Sequence, residues 1–243
     1  MKRTEPHRRI IRVIDIETTG GAPPAEIIEL GWVDLVEIGG AWTLQGRGTR
    51  LFNPARGIPP ENQAIHHISE REIGPEAETC TAHALAAILL RDEPCALVAH
   101  NAAFERRFIG TGSSGATPWI CTYKSAVRVW PDAPRHSNQV LRYWLNLELD
   151  PAAAMPVHRA GPDAFVTANI LLVLLQHNPI EQLIEWTAEP RLYPTIRFGR
   201  HRGEAWSNIP ADYLKWLAGN GTDIDTKACA EDELRRRVEA EAA

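Results

Sequence analysis

No stretch of this 243-residue chain is apolar for long enough to cross a bilayer. A spanning helix needs about 20 consecutive apolar residues, and the longest runs here, such as Ile170 to Leu175, fall far short. A membrane is therefore not expected as a partner. Cysteine is scarce. Cys80, Cys95, Cys121 and Cys229 lie far apart, in spacings that match neither a zinc knuckle nor a disulfide framework. A reducing compartment, the cytoplasm, suits such a chain. The basic stretch from Met1 to Arg9 leads into a β-like run rather than a signal-type apolar core, so no secretory leader is read there. Positive charge is in short supply as well: 26 Lys and Arg against 31 Asp and Glu leave a formal net charge of −5. That argues against a protein that coats nucleic acid through charge alone. It does not exclude a nuclease, because an acidic active site lowers net charge and bound cations reverse its local sign.

What is present is an ordinary globular composition, 44% hydrophobic and 23% charged, in a length that suits one substantial domain with a small appendage. Ile10 to Ile16 is a β-branched run and reads as a buried strand. Ile27 to Val36 and Ala41 to Phe52 extend this into a meander, with Gly39-Gly40 as the hairpin turn. After Pro59-Pro60, Glu61 to His67 reads as a short helix, and Thr79 to Leu90 as a longer one capped by Thr79 or Thr81. Cys95 to Ala99 is a short strand, Ala102 to Ile109 is helical, Gly110 to Gly115 is flexible and Trp119 to Cys121 is extended. Helices are expected over Thr122 to Trp130, Ser137 to Leu145, from about Pro162 to His177, and from Pro179 to about Ala188. Strands first, then strands alternating with helices, indicate an α/β fold with a mixed sheet. Composition shifts at Glu189-Pro190, which divides the chain into residues 1–188 and a module over 189–243 that ends in a charged helix from Asp225 to Ala243.

Chemistry concentrates in three polar interruptions of apolar elements. Asp15 and Glu17 sit two apart near the end of the first strand, so both carboxylates share one face. That end of a strand is where open α/β sheets bind ligands. Two like charges at the edge of a core are costly unless something of opposite sign offsets them. Taken alone, the pair reads more readily as a solvated strand end. The second interruption is Ala99 to Phe108, with His100 and Asn101 in a turn and Glu105 on the helix that follows. The third is His158 to Asp163, with His158 on a loop and Asp163 at the start of a long apolar helix. A helix-start carboxylate is favourable on structural grounds alone. Together the three supply oxygen ligands for hard divalent cations and a histidine able to take a proton near neutral pH. That is a set of parts for phosphodiester hydrolysis.

These residues resemble the signature of the DnaQ-like 3′–5′ exonucleases with four acids and a histidine, the DEDDh group. The D-x-E-T segment is Asp15-Ile16-Glu17-Thr18. The H-N-A-x-F-D segment is His100-Asn101-Ala102-Ala103-Phe104 followed by Glu105. The H-R-A-x-x-D segment is His158-Arg159-Ala160-Gly161-Pro162-Asp163. Ala64-Ile65-His66, Trp119 to Thr122 and Leu141 fit the same pattern, and the likeness runs from Ile11 to about Leu217. It implies a ribonuclease H-like mixed five-stranded sheet flanked by helices. It implies two Mg²⁺ or Mn²⁺ ions on Asp15, Glu17, Glu105 and Asp163, His158 as general base, and nucleoside monophosphate products. Thr18, His66, Asn101 and Phe104 are the expected substrate contacts in this part of the chain. The implied partner is DNA with an accessible 3′ end. RNA is the alternative substrate, because the chemistry barely distinguishes the sugars. One departure stands out: the family has Asp where this chain has Glu105. A third reading is therefore non-enzymatic: a degenerate or weakened site that leaves a nucleic-acid-binding or protein-interaction module.

The C-terminal stretch from Phe198 to Gly203, with Trp206, Pro210, Tyr213, Leu214, Trp216 and Leu217, resembles a small module written F-G-K-H-K-G…W…P-x-x-Y-L-x-W-L. Arg197, Arg200, His201 and Arg202 form a basic turn among aromatic residues, and Arg200 and Arg202 are expected to hold phosphates while a ring stacks on a base. The competing expectation is that Trp206, Tyr213 and Trp216 form a mini-core and the arginines face water.

Overall fold

The computed structural model describes residues 9–221 and 224–241; the N-terminal basic stretch up to Arg8 and the last two residues of the expected C-terminal helix lie outside them. Two compact units are seen, one through Thr187 and the other from Ala188. The first is built on a five-stranded sheet: β1 (Ile10–Thr18), β2 (Ile27–Ile38), β3 (Ala41–Leu51), β4 (Ala96–Ala99) and β5 (Trp119–Cys121). Their order is β3-β2-β1-β4-β5. The meander β1-β2-β3 is antiparallel, whereas β4 and β5 add in parallel. The sheet is therefore mixed, as the order of elements implied.

Its helices are α1 (Pro60–His66), α2 (Glu70–Ile73), α3 (Ala82–Leu89), α4 (Glu105–Phe108), α5 (Thr111–Ser114), α6 (Thr122–Val129), α7 (Asn138–Trp144), α8 (Pro151–Ala154), α9 (Ala160–Leu175) and α10 (Ile180–Ala188). The alternation of β1 explains the two cores. Ile11 and Val13 point to one face and join Ile170, Leu171 and Leu174 of α9. Ile14 and Ile16 point to the other face and join Leu85, Ile88 and Leu89 of α3. Thr81 caps α3, its hydroxyl accepting from Ala84 N at 3.1 Å. Buried Arg12 spans β1 and β2, donating to Asp34 at 2.7 and 2.9 Å and to the carbonyls of Ile88 and Arg91. This ties α3 to the sheet through a paired charge.

Two expectations change. Ala102 to Ile109 is not one helix. Asn101 adopts a positive φ of 71°, so the chain turns through Phe104 N to Asn101 O at 2.8 Å and α4 starts only at Glu105. The Gly110–Gly115 stretch is not a loose loop but holds α5, with Ser113 and Ser114 buried, and it packs against α3. Glycine content misled there because the turn is closed by its own backbone, Ser114 N to Gly110 O at 3.1 Å.

The second unit contains a bridge between Thr195 and Ala205, a single 3-10 turn (Trp206–Asn208), α11 (Ala211–Asn220) and α12 (Ile224–Glu241). Ile196, Trp206, Ile209, Leu214, Leu217, Cys229 and Ala230 form its core. Arg237 of α12 donates to the carbonyls of Ser207 and Ile209, both at 2.9 Å. It thereby satisfies the open end of the 3-10 turn. None of the four cysteines is in a disulfide. Among the described residues, no helix is long and apolar enough to cross a membrane.

Candidate active site

β1 carries Asp15 and Glu17 on the face that α9 covers. Each has a telling partner across the antiparallel ladder. Asp15 pairs with Gly31, and Glu17 with Glu29. A side chain at Gly31 has no room: a Cβ there would lie 2.2 Å from the carbonyl carbon and oxygen of Ala160. The N-terminus of α9 therefore rests directly on the β2 backbone. Gly161 is equally constrained, since its Cβ would meet Thr49 Cγ2 at 2.4 Å. This pair of glycines lets α9 descend far enough to bring Asp163 to the strand end.

Glu29 fixes the same approach with charge. Its buried carboxylate accepts from Ala160 N at 2.8 Å, from Arg159 Nη2 at 2.8 Å and from Arg159 Nε at 3.1 and 3.2 Å. Arg159 also reaches Glu72 at 2.7 Å. Asp163 is held on both oxygens, by His158 N at 2.8 Å and by Gln139 Nε2 at 3.1 Å. His158 itself is exposed and sits at a φ of 58°. That kink at the loop end brings its ring back to the acids. One ligand atom each from Glu17, His158 and Asp163 lies within 4.8 Å of the other two.

Asp15 and Glu105 lie outside that trio and are linked to it through charge, Glu105 acting on Asp15 and Glu17 acting on both. Glu105 is 3% exposed, and its Oε2 finds no hydrogen-bond partner. Burial pushes its carboxyl up to about 8, with Glu17 adding to the effect and Arg107 opposing it. Glu17 is likewise pushed up to about 8, first by burial and then by Asp163 and Glu29. Asp15 is driven well above the ordinary range by burial and by Asp163, Glu105, Glu17 and Glu29, in that order. Burial raises Asp163 too, against the bonds from His158 and Gln139. Four acids that each resist ionisation because of burial, three of them also because of one another, form a site of stored negative potential. Oxygen-only carboxylates with one orphaned buried oxygen are the donor set a hard divalent cation prefers.

A family model for exonucleases matches residues 13–171, which includes all three acidic segments. The chain belongs to the DEDDh exonuclease family. Among the relatives of this chain, exodeoxyribonuclease 10 of Escherichia coli (strain K12) is 31% identical over 218 residues, covering 87% of this chain and 91% of that one. DNA polymerase III subunit epsilon of Treponema pallidum (strain Nichols) is 29% identical over 171 residues, covering 68% of this chain and 75% of that one. The structure of exonuclease X in complex with 5′ overhanging duplex DNA superposes with a TM-score of 0.61 at 29% identity, covering 73% of this chain and 99% of that one. The nuclease domain of 3′hExo bound to rAMP shares the fold, with a TM-score of 0.54 at 18% identity over 71% of this chain and 94% of that one.

The remaining residues of the DEDDh pattern are placed as follows. Thr18 is buried, and its hydroxyl donates to Gly20 O at 2.7 Å. Phe104 packs on Phe108 with ring centroids 5.3 Å apart, and Asn101 is exposed. His66 is 2% exposed. Its Nδ1 accepts from Ile68 N at 3.0 Å, which puts the ring proton on Nε2, an atom with no partner. Burial lowers its pKa, so the ring stays neutral and offers one donor. His100 is a different case. It bridges Thr122 Oγ1 at 2.9 Å and His136 O at 2.7 Å, and burial brings its pKa down to about 4. Both ring nitrogens are thus engaged at the end of β4. Arg200 and Arg202 belong to the second unit. Glu29, Gly31, Glu72 and Gln139 escaped the reading of the sequence. Glu29 left a signal: it is an acid inside the apolar run Ile27 to Val36.

Proposed function

We propose that this chain is a 3′–5′ exodeoxyribonuclease that releases nucleoside 5′-monophosphates from DNA ends with two divalent cations, Mg²⁺ or Mn²⁺. The observation that carries the reading is the convergence of Glu17, His158 and Asp163 within 4.8 Å, beside buried Glu105 with its unpartnered oxygen. Asp15, Glu17, Glu105 and Asp163 would hold the ions. When bound there, such ions would offset the charge of the phosphodiester and acidify the attacking water. His158 takes the proton from that water. Its exposure leaves the ring free to swing, while its own N–H keeps Asp163 oriented. The neutral His66 donates from Nε2 toward the terminal nucleotide, and Thr18, Asn101 and Phe104 border the same end. Because the acids converge at one strand end, the DNA terminus must arrive frayed or single-stranded. Residues 1–188 form the catalytic domain in this reading.

A weakened site has one observation behind it, the glutamate at position 105. The same side chain nevertheless sits buried among the other acids and feels the charge of Glu17. That favours a working site.

The test is a time course on 3′- and 5′-labelled DNA and RNA oligonucleotides, with Mg²⁺, with Mn²⁺ and with EDTA. Stepwise metal-dependent loss from the 3′ end of DNA, with mononucleotide product, is expected. Internal cuts or a ladder from the 5′ end would defeat the polarity. Faster loss from RNA would reassign the substrate, and inactivity under both metals would leave only a binding module.

A further inference from the structure

The second unit settles where its aromatic residues go. Trp206 is 4% exposed and belongs to the core. Trp216 does not: it is 54% exposed. Tyr213 and Trp216 are three apart on α11 and so share a helix face. Their rings stack at 15° with centroids 5.8 Å apart. A tryptophan left in water on a module that has already built its core is an unusual expense of apolar area.

A held cation lies on the same shelf. The Arg200 guanidinium stands over the Tyr213 ring at 5.4 Å. Its Nε donates to His201 Nε2 at 3.0 Å, and His201 Nδ1 donates in turn to Glu204 at 3.1 Å. This relay fixes the tautomer of His201 and orders Arg200 while using only one of its donors. Among the described residues, none accepts from the Arg200 Nη atoms. Arg202 is exposed on the same turn, which is closed by Gly203 N to Ile196 O at 2.7 Å.

We infer that Arg200, Arg202, Tyr213 and Trp216 form a binding platform for single-stranded polynucleotide. An unpaired base stacks on Trp216, and the neighbouring phosphates take the arginine donors. Flat rings bordered by one held guanidinium, with a second exposed on the same turn, match that ligand: stacking tolerates every base, and guanidinium groups pair with phosphate. A duplex keeps its bases stacked on one another and cannot use the shelf. The inference extends the nucleic-acid reading to residues 189–243 and does not depend on the hydrolytic chemistry.

The test uses the full chain in EDTA, with fluorescein-labelled oligo-dT, oligo-rU and a blunt duplex, read by anisotropy. Trp216→Ala should weaken single-strand binding at least about fivefold, with less than a twofold change on duplex, while Trp216→Phe retains most of the affinity. Arg200→Ala with Arg202→Ala should weaken binding to both oligomers and reduce the salt slope by about one to two. The dT and rU arms show whether the sugar matters. Unchanged single-strand binding in folded Trp216→Ala, verified by circular dichroism, overturns the platform. So does loss of a wild-type dimer in that variant with strand affinity intact, because the ring would then serve a protein contact. Hydrolysis of the p-nitrophenyl ester of thymidine 5′-monophosphate by the wild-type chain with Mn²⁺ reports on the nuclease site alone. Either proposal can therefore fail without the other.

Discussion

Arg159 and Glu29, 130 residues apart, meet in a two-pronged ion pair at the foot of α9, with Arg159 Nη2 2.8 Å and Nε 3.1 to 3.2 Å from the carboxylate. The same carboxylate takes Ala160 N at 2.8 Å. Between them these bonds fix the loop that carries His158 and the helix start that carries Asp163. Glu29→Gln keeps the shape but loses the charge, while Arg159 retains Glu72. Stability should fall by about 2 kcal/mol, measured by urea unfolding. Nuclease activity should fall at least about tenfold, because the proposed base and metal ligand, His158 and Asp163, lose their seat. Full activity in folded Glu29→Gln would remove the positioning role.

Gly31→Ala attacks the same seat from the sheet. The added methyl would stand 2.2 Å from the Ala160 backbone and 2.4 Å from Gly161 N, and neither is a side chain that can swing away. The helix start must rise. A stability loss of about 3 kcal/mol is expected from overpacking, together with weaker Mn²⁺ uptake by calorimetry. A variant of normal stability and normal metal affinity would show that α9 is free to shift there.

Much of this arrangement was legible in the sequence, and the reason is periodicity. Alternation in Ile10 to Ile16 places Asp15 and Glu17 on one face, and apolar spacing after Pro162 marks the long helix. Three acidic segments in order carried the family resemblance that named the candidate acids, and each of them ends or begins a regular element. What escaped was set by contacts between distant segments. Nothing local in Gly31 says that Ala160 lies against it, and nothing in Glu72 or Gln139 says which loop it supports. The helix expected over Ala102 to Ile109 was shortened by the left-handed turn at Asn101, which a propensity argument does not weigh. Trp216 was likewise undecidable from composition, since burial separates it from Trp206 only after α11 and α12 pack.

The acids should make metal-free stability depend on pH in an unusual direction. Glu17 and Glu105 rise from an ordinary value of 4.5 to about 8 on folding. The folded state thus binds their protons more tightly than the unfolded chain does. This contribution is full below about pH 4.5 and is lost as pH climbs through about 8. In EDTA, the melting temperature should decline from pH 5 to pH 8.5, and Glu17→Gln should flatten the decline. Added Mn²⁺ binds the ionised form and should raise the melting temperature most at the alkaline end. A profile in EDTA that is unchanged by Glu17→Gln would contradict the burial of these charges.

Glu105→Asp asks whether the extra methylene is a defect or a fit. The glutamate reaches Glu17's field from the first residue of α4. Aspartate on this backbone would withdraw the carboxylate by one bond, and a displacement of about 1 Å can cost around a hundredfold in rate. Turnover should therefore drop, and Mn²⁺ affinity with it. A tenfold gain instead would mark the natural site as compromised.

His158 is best probed by asparagine rather than alanine. Its φ of 58° lies in the left-handed region, where asparagine is better tolerated than other side chains with a Cβ. The bond that matters for the neighbouring acid comes from the His158 backbone, N to Asp163 Oδ2 at 2.8 Å. It survives any substitution that preserves the loop. His158→Asn should therefore remove the proton acceptor while leaving the carboxylates in place. Turnover should fall by about two to four orders of magnitude, and calorimetric Mn²⁺ affinity should stay within about threefold of wild type. If affinity collapses together with turnover, the imidazole is a ligand rather than a base, in keeping with the short distances among Glu17, His158 and Asp163. If both persist, the proton leaves by another route and the role given to His158 is wrong.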